Sequence, residues 1–473
     1  MVAGGDAMGQ FAEGDVEVIH EILGANAGDN LGWQVCAVAD YNGDGAMEFM
    51  YGVAGADPAG ISNAGVIELR DGATGALIRS HAGTRVNEGL GYVCDAGDVN
   101  NDQIVDYMFG SQDGYVYVYS GADGVLQYEF TGAAGTNFGF RSCGIGDVTG
   151  DGFGEMLIGA WSNDEAGNNF GKAIVYSGAD GSVVREHFGI RANGQFGHTV
   201  SALGDIDGDG VSEYSVGAPG PYSASHRGVF FAYSGATGSE LYTFNARTTG
   251  RIFAAWQQCH GFQHLNYDGV IDILACDISD VGAGFEAGRL YAIDGATGAE
   301  LYTIAGFTAN SGLSGVPWNE AGSIGDLTGD CISDLVVASW KSQVGGANAG
   351  QAHVIDGRTH AVLRTITCNG TNANFAGTLA GAGDANGDGI TDYIFAANGY
   401  DGARGAVWVV AGQDHTQPSP ADLDGNGVLN VDDIDAFVTA FVTFSLDADM
   451  DGNFVLNVDD VDAFVVFFTG NCP

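Results

Sequence analysis

The chain has 473 residues, enough for several domains or for one repeat architecture with a large core. Its 15 basic and 60 acidic residues give a formal net charge of -45, which excludes an unassisted binder of nucleic acid or of an anionic membrane surface and favours cations as partners. No apolar run approaches the roughly 18 residues that a membrane span needs, and the first residues lack the pattern of a signal peptide, so a secreted form would need a leader outside this chain.

A nine-residue acidic phrase recurs seven times along the chain. In its fullest form, at 205–213, it reads DIDGDGVSE, with carboxylates at positions 1, 3, 5 and 9 and glycines between them. The copies begin at Asp40, Asp98, Asp147, Asp205, His264, Asp326 and Asp384, so successive starts lie 49 to 62 residues apart. A period of this size is typical of β-propeller blades.

Each repeat predicts four short antiparallel strands, which we name A to D in chain order. An apolar stretch precedes the acidic loop and another follows it, so the loop connects strands A and B. A further apolar segment is broken by a glycine turn such as DGATG at 294–298, which is typical of a hairpin between strands C and D. Four strands in each unit indicate a mainly β fold.

The number of strands predicts how the ring closes. The seventh repeat supplies only strands A to C and ends at 406–412, whereas VEVIHEIL at 16–23 has the pattern of an isolated strand D. We therefore expect a seven-bladed β-propeller whose N-terminal strand completes the last blade, so that no sheet edge stays open. This divides the chain into an N-terminal extension (1–15), the propeller (16–412), a linker (413–421) and a C-terminal module (422–473).

The composition of the acidic loops indicates calcium. Hard cations such as Ca²⁺ take six to eight oxygen ligands, and glycines let a short loop curl until alternate side chains converge. The alternative is a solvated glycine turn without a cation, but repetition at matching places in seven units favours the cation sites. The predicted structural calcium ligands are Asp40, Asn42, Asp44, Glu48, Asp98, Asn100, Asp102, Asp106, Asp147, Thr149, Asp151, Glu155, Asp205, Asp207, Asp209, Glu213, Asn266, Asp268, Asp272, Asp326, Thr328, Asp330, Asp334, Asp384, Asn386, Asp388 and Asp392.

Some loops depart from this pattern. His264 replaces the first acid of the fifth loop, which predicts a weak or empty site there. Thr149 and Thr328 could coordinate only through their hydroxyl groups. Gln103 and Cys331 stand where the other loops have glycine, so the second and sixth loops fit the pattern less well.

The aromatic-glycine step before the loops, the acidic loops themselves and the Gly217-Ala218-Pro219 sequence resemble FG-GAP repeats, the blades of the integrin alpha-subunit propeller and of many bacterial secreted proteins. The resemblance covers 16–412 and implies a calcium-binding propeller located outside the cell or on its surface. Propellers of this type include adhesins, lectins and accessory parts of polysaccharide-degrading enzymes, so the fold alone does not name the ligand.

The C-terminal module carries a second calcium pattern. Two loops have the spacing of an EF-hand, each followed by apolar residues on one face of a short helix. Phe454 replaces the expected glycine of the second loop, which would weaken that site. The predicted ligands are Asp422, Asp424, Asn426, Asn430 and Asp433 in the first loop and Asp449, Asp451, Asn453, Asn457 and Asp460 in the second.

This pair of units resembles a type I dockerin, as found at the C-termini of planctomycete-like bacterial exoproteins, and implies attachment to a protein partner. A self-contained, calcium-folded cap is the alternative, since the apolar helix faces can pack on each other. Aromatic side chains that could contact a partner, or a glycan or protein ligand in the case of the tryptophans, are Trp161, Trp340, Phe437, Phe441, Phe464 and Phe468. Packing within half-buried loops is the competing explanation for the tryptophans.

The cysteines suggest two roles. Cys36, Cys94 and Cys143 all lie four residues before an acidic loop, where a small apolar side chain fits among crowded inner strands. Cys259 and Cys276 flank one hairpin and are close enough to cross-strand register to predict a disulfide bond, which would favour an oxidising compartment.

Three functions remain open on sequence grounds. We favour an extracellular binding or adhesion platform without enzymatic activity, attached through its tail. A self-assembling filament or lattice subunit, whose tail docks on the next copy, is the first alternative. A polysaccharide lyase or hydrolase is the second, although no nucleophile motif is present and the chain has few basic residues to hold uronic acids.

Overall fold

The computed structural model describes residues 10–220, 228–246, 260–261, 264–266, 268–277, 287–307, 313–314, 324–415 and 431–443, together with 421, 423, 445, 448, 450, 456, 460–461 and 464–465. These residues form seven four-stranded antiparallel sheets. The mainly β fold and the seven-bladed propeller with four-stranded blades are therefore confirmed.

The strands follow the predicted order A to D in each blade. Strand β1 (Val18–Leu23) comes first in the chain. Blades 1 to 3 consist of β2 (Leu31–Ala37), β3 (Phe49–Val53), β4 (Val66–Arg70) and β5 (Leu77–Ala82); β6 (Tyr92–Gly97), β7 (Asp106–Gly110), β8 (Tyr115–Tyr119) and β9 (Leu126–Thr131); and β10 (Phe138–Gly144), β11 (Met156–Ala160), β12 (Lys172–Tyr176) and β13 (Val183–Phe188).

Blades 4 to 7 repeat this arrangement. They consist of β14 (Thr199–Gly204), β15 (Glu213–Ala218), β16 (Val229–Tyr233) and β17 (Glu240–Asn245); β18 (His260–Gly261), β19 (Ile273–Asp277), β20 (Arg289–Ile293) and β21 (Glu300–Ala305); β22 (Leu313–Ser314), β23 (Leu335–Ser339), β24 (Gln351–Ile355) and β25 (Val362–Thr367); and β26 (Thr378–Gly383), β27 (Asp392–Ala397) and β28 (Ala406–Val410). The described helices are a 3₁₀ turn at Pro58–Gly60, the single turn α1 (Tyr400–Ala403) and α2 (Val431–Val442).

The burial of each strand reflects its place in the blade. All five residues of β3, β11 and β19 are buried, because strands B face a neighbouring blade on both sides. Strand D of blade 1, β5, is exposed or half-buried along its whole length. The apolar cores consequently lie between the blades, where β-branched and aromatic side chains of adjacent sheets meet.

The N-terminal strand closes the ring as predicted. β1 pairs antiparallel with β28, with Glu21 opposite Trp408 and Leu23 opposite Ala406, so blade 7 has the order β1-β28-β27-β26. The packed chain also begins upstream of the predicted boundary at residue 16. Phe11 is buried against Phe375, and the N–H of Ala12 donates to the carbonyl of Thr367 at 2.9 Å, so the extension adds to the core beside blade 6.

Strand D of one blade also contacts the turn between strands C and D of the next blade, which we call the C–D turn. For example, the hydroxyl of Tyr128 donates to the carbonyl of Gly178 at 2.5 Å, and that of Tyr242 to Gly295 at 2.8 Å. Within the described part of the chain, five of the seven junctions have such a contact, and at a sixth the acceptor is the carbonyl of Ala411, which directly follows strand C of blade 7. The side chains involved are His20, Arg79, Tyr128, Arg185, Tyr242 and Arg364.

The predicted disulfide between Cys259 and Cys276 is wrong. Cys276 is a free thiol, buried in the core between blades 5 and 6, whereas Cys259 lies outside the described residues. In the described part of this hairpin, His260 stands opposite Leu274 and Gly261 opposite Ile273. Cys94 and Cys143 are free thiols too, with Cys94 and Cys36 buried as expected of small apolar residues. Cys331, in contrast, is disulfide-bonded.

Candidate functional site

The acidic loops all lie on one face of the ring, and blade 4 shows their construction. The carboxylate of Asp205 accepts hydrogen bonds from the N–H groups of Gly208 at 2.7 Å and Gly210 at 2.9 Å. Both glycines have left-handed backbone angles, with φ of 79° and 87°, which wind the loop around this carboxylate. An oxygen of Asp207 accepts from the N–H of Asp209 at 3.1 Å. The loop is thus a set of Asx turns that holds its carboxylates on the inside.

The same construction recurs at each predicted ligand position. Position 1 accepts main-chain N–H groups of positions 4 to 6 in Asp40, Asp98, Asp147, Asp205, Asp326 and Asp384. Position 3 accepts the N–H of position 5 in Asn42, Asn100, Asp207, Asn266 and Asn386. Position 5 accepts the N–H of position 7 in Asp44, Asp102, Asp151, Asp209, Asp268, Asp330 and Asp388.

The acid at position 9 is buried in every loop. Glu213 is fully buried, and its carboxylate accepts from the N–H of Ile206 at 2.8 Å and of Gly235, in the C–D turn, at 3.3 Å. It therefore fastens the acidic loop to the C–D turn of the same blade. Burial raises the pKa of this carboxyl to about 6 in Glu48, Asp106, Glu155 and Asp392 and to about 7 in Glu213, Asp272 and Asp334.

Within the described ranges, these buried carboxyl groups have no cationic side chain paired with them. None of the ion pairs formed among the described residues involves an acid at position 9. Side-chain oxygens also converge: one ligand atom each from Asp205, Asp207 and Glu213 lie within 4.8 Å of one another, as do those of Asp147, Asp151 and Glu155. Convergent carboxylates that hydrogen bonds alone do not neutralise form an all-oxygen donor set, which fits a hard divalent cation.

The irregular loops adapt in different ways. The hydroxyl of Thr149 donates to Glu155 at 3.3 Å, and that of Thr328 to Asp326 at 3.3 Å, so each threonine points into its loop. Gln103 and Cys331 adopt φ of 67° and 65°, the left-handed conformation that glycine has in the other loops. Ring atom Nδ1 of His264 lies 3.2 Å from the carbonyl of Val270 and supplies no carboxylate.

The C–D turns contribute a residue that the sequence pattern did not identify. In blade 5, where His264 replaces the first acid, Asp294 from the C–D turn brings an oxygen within 4.8 Å of Asp268 and Asp272. In blade 1, Asn42 donates to Asp71 of the C–D turn at 3.3 Å. Both turns begin with Asp-Gly-Ala-Thr-Gly, a pattern that by itself predicts a hairpin turn and does not distinguish an aspartate that also faces the acidic loop.

The described part of the C-terminal module packs on itself. Asp433 and Asp460, the last predicted ligands of the two loops, are fully buried. Phe437 and Phe464 are buried and stack with ring centroids 4.2 Å apart, while Phe441 is half-buried beside Phe437. The other predicted ligands and Phe468 lie outside the described residues, namely Asp422, Asp424, Asn426, Asn430, Asp449, Asp451, Asn453 and Asn457.

A different face of α2 carries exposed apolar side chains. Ile434, Val438 and Val442 recur at four-residue spacing and are 37%, 50% and 65% exposed, and Val465 in the second unit is 51% exposed. This spacing forms a stripe along one side of the helix. The described part of the chain contains no helix with both the length and the apolar composition to cross a bilayer.

The two tryptophans lie in connections between strands B and C, on the face opposite the acidic loops. Trp161 packs on Phe140 and on the ring of His198, with centroid distances of 6.2 Å and 5.2 Å. Trp340 has the ammonium of Lys341 4.6 Å from its ring centroid. A cavity of about 300 Å³ opens between blades 3 and 4, where Phe170, Ile190, Arg191, Phe231 and Glu240 are among the residues that line it.

Comparison with known proteins gives partial matches to integrin alpha chains. Over 162 residues the chain is 29% identical to integrin alpha-5 of Xenopus laevis, which covers 32% of this chain and 15% of the relative. It is 26% identical to integrin alpha-2 of Mus musculus over 215 residues, a match that covers 40% of this chain and 18% of that relative. It is 31% identical to integrin alpha-7 of Mus musculus over 188 residues, a match that covers 35% of this chain and 15% of that relative.

No protein-family model matches the chain. The matched segments span less than a fifth of the length of the integrin chains named above. Together with the seven four-stranded blades, these matches make the propeller of this chain similar to that of integrin alpha chains.

Proposed function

We propose that the chain is a calcium-binding propeller that acts as a protein-binding or adhesion platform outside the cell, without enzymatic activity. The observation that carries the calcium assignment is the buried acid at position 9, which converges with other loop oxygens and has no basic partner among the described residues. The similarity to integrin alpha chains supports the role as a platform.

Calcium would have a structural role here. A bound cation would neutralise the clustered carboxylates and join the acidic loop to the C–D turn through the acid at position 9. The same loops recur around the ring, so calcium would stabilise most blades together and raise the free energy of unfolding by mass action. In the proposed module, the buried Asp433 and Asp460 would do the same for the two helical units.

Calcium binding can be tested by counting bound ions. Native mass spectrometry of the full chain, first stripped with a chelator and then titrated with Ca²⁺ or Mg²⁺, should show several tightly bound calcium ions and weaker magnesium binding. His264→Asp restores the first acid of the fifth loop and should add affinity at one site, whereas Val344→Asp, at an exposed residue in the B–C connection of blade 6 on the face opposite the acidic loops, is the control. A chain that binds no calcium would overturn the proposal.

The platform role can be tested through the cavity between blades 3 and 4. Ile190 is 73% exposed at its edge, and a cavity of about 300 Å³ can accept an apolar side chain from a protein ligand. The purified chain, immobilised on beads, would be assayed against panels of surface proteins and glycans, with Ile190→Asp compared with Val125→Asp on another blade. Binding to a protein that is lost only in Ile190→Asp supports the role, and capture of glycans alone contradicts it.

Self-assembly is a second candidate, favoured by the exposed stripe on α2. Apolar side chains at Ile434, Val438 and Val442 would be buried if the module docked on another copy of the chain. Light scattering of the full chain in calcium and in chelator would detect this. Large species that disappear in Val438→Asp but persist in Val362→Asp, a valine of similar exposure on the propeller, would support assembly, and a monomer under all conditions would exclude it under those conditions.

A further inference from the structure

The acidic loop of blade 6 is covered, unlike the other six. The residues at positions 5 and 6 are exposed in every other loop, as Asp209 and Gly210 are in blade 4. In blade 6 the corresponding residues, Asp330 and Cys331, are only 6% and 8% exposed, and Ile332 beside them is 2% exposed. Something outside the regular blade structure therefore lies over this loop.

The side chain at position 6 points away from the propeller. A Cβ atom added to Gly45, Gly210, Gly269 or Gly389, the glycines at this position in four other loops, would have no atom within 4 Å. The loop of blade 6 has the same left-handed backbone at this position, so Cys331 projects from the acidic face in the same direction. A disulfide partner for Cys331 must come from a segment that lies over this face.

The C-terminal module makes a described contact at the same place. Nη2 of Arg358, in the C–D turn of blade 6, donates to the main-chain carbonyl of Met450 at 2.5 Å. Met450 is itself buried, and its N–H donates to the carboxylate of Asp460 at 2.9 Å, so this contact involves the folded part of the module. The module therefore lies against blade 6 beside the covered loop.

Two cysteines remain as the partner of Cys331. Of the eight in the chain, Cys94, Cys143, Cys276 and Cys368 have free thiols and Cys36 is not disulfide-bonded, which leaves Cys259 and Cys472. Cys259 immediately precedes β18, an inner strand, and stands five positions before its own acidic loop. Cys472 belongs to the module that contacts Arg358.

We propose that a disulfide between Cys331 and Cys472 locks the C-terminal module onto the acidic loop of blade 6. The module is then a fixed part of the propeller surface instead of a domain on a free linker, and the blade 6 loop is closed to solvent. Two-electron reduction by a dithiol would convert the bond into two thiols and the dithiol into its own disulfide, and the lock would open. The stripe on α2 does not depend on this bond.

Disulfide mapping of the unmodified protein tests the pairing. The full chain, isolated from an oxidising compartment, is denatured with its free thiols blocked, digested at aspartate residues, and analysed by mass spectrometry before and after reduction. We expect one linked species that joins the peptide containing Cys331 to the peptide containing Cys472 and disappears on reduction. Linkage of Cys331 to Cys259, or a blocked free Cys331, would overturn the proposal.

Hydrogen exchange tests whether the bond holds the module in place. In Cys472→Ser, amides of the loop at 326–334 should exchange about tenfold faster than in the wild type, as should wild-type amides after reduction. Cys143→Ser, which removes a free thiol elsewhere, is the matched control and should leave this loop unchanged. Equal protection of the loop in Cys472→Ser and in the wild type would show that the bond does not close it.

Discussion

The indole Nε1 of Trp408 donates a hydrogen bond to Oε1 of Glu21, 3.2 Å away, although the two residues are separated by 387 positions in the sequence. Glu21 lies in the N-terminal strand and Trp408 in strand C of the last blade, so this bond spans the junction that closes the ring. The indole ring is fully buried and contacts Phe11, Phe375 and Tyr400. Closure of the ring thus depends on one large aromatic side chain as well as on strand pairing.

Replacing this tryptophan should loosen the closure. Trp408→Ala removes the hydrogen bond and leaves a cavity among the surrounding aromatic rings, so we expect the free energy of unfolding to fall by about 3–5 kcal/mol. Trp340→Ala, at a half-buried tryptophan on another blade, is the control, with an expected loss of about 1 kcal/mol. Urea unfolding followed by circular dichroism in calcium would measure both. An equal loss of unfolding free energy in Trp408→Ala and Trp340→Ala would mean that Trp408 has no special part in closing the ring.

The acid at position 9 should determine how strongly calcium stabilises its blade. Glu213→Gln removes the buried charge that we assign to the cation, so the rise in Tm between chelator and calcium should shrink by about 3 °C. Glu240→Gln, at an exposed glutamate of the same blade, should leave this rise unchanged. Differential scanning calorimetry would measure it. An identical calcium response in Glu213→Gln and in the wild type would argue against a cation in this loop.

The contacts between blades can be tested one hydroxyl at a time. Tyr242→Phe removes the donor to the carbonyl of Gly295 and leaves that acceptor without its partner, so we expect a loss of about 1 kcal/mol in the free energy of unfolding. In Tyr176→Phe, a matched change at a half-buried tyrosine in strand C of blade 3, we expect a smaller loss. Chemical denaturation would distinguish them. Indistinguishable losses would mean that the junction bond adds nothing to stability.

Acid should weaken the junction between blades 3 and 4. Burial lowers the pKa of His187 to about 4, and its Nε2 lies 2.8 Å from the hydroxyl of Tyr214. The unfolded chain, whose histidines titrate near pH 6.5, binds more protons between about pH 6.5 and 4, so this stability is present above pH 6.5 and is lost as the pH falls through about 4. His187→Gln should reduce the loss by about 1 kcal/mol, as measured by urea unfolding at both pH values. An equal loss of unfolding free energy in His187→Gln and in the wild type over this pH range would contradict the prediction.

The sequence predicted the features that depend on local patterns. The acidic phrase predicted each A–B loop because its Asx and glycine residues determine the backbone of the loop themselves, and the number of strands predicted the closing role of β1. Asp294 was missed because its place beside Asp268 depends on how two hairpins of one blade lie against each other. No periodicity in the sequence carries that information.

The wrong disulfide prediction and the unpredicted contact between Arg358 and Met450 both depend on tertiary structure. Cys259 and Cys276 are suitably spaced for a hairpin, but a cross-strand disulfide depends on which residues stand opposite each other, and a shift of one residue turns a side chain to the other face of the sheet. The hydrogen bond from Arg358 to Met450 joins positions 92 residues apart, in two modules with unrelated repeats. A sequence pattern cannot indicate such a contact, because Met450 stands at a loop position that supplies no predicted ligand and the C–D turns do not share an arginine at the position of Arg358.

At five of the described junctions between blades the acceptor is a main-chain carbonyl of the C–D turn, and histidine, arginine and tyrosine all reach it from strand D. A carbonyl acceptor is present whatever the side chain of its residue. The donor on the preceding blade can therefore be substituted by any donor residue whose side chain is long enough to reach it. Repeats 1 to 4 each carry both a donor and an acceptor. Duplication of one repeat within the gene would therefore bring a complete pair of junctions with it, and rings of this kind can evolve without compensating substitutions in the neighbouring blades.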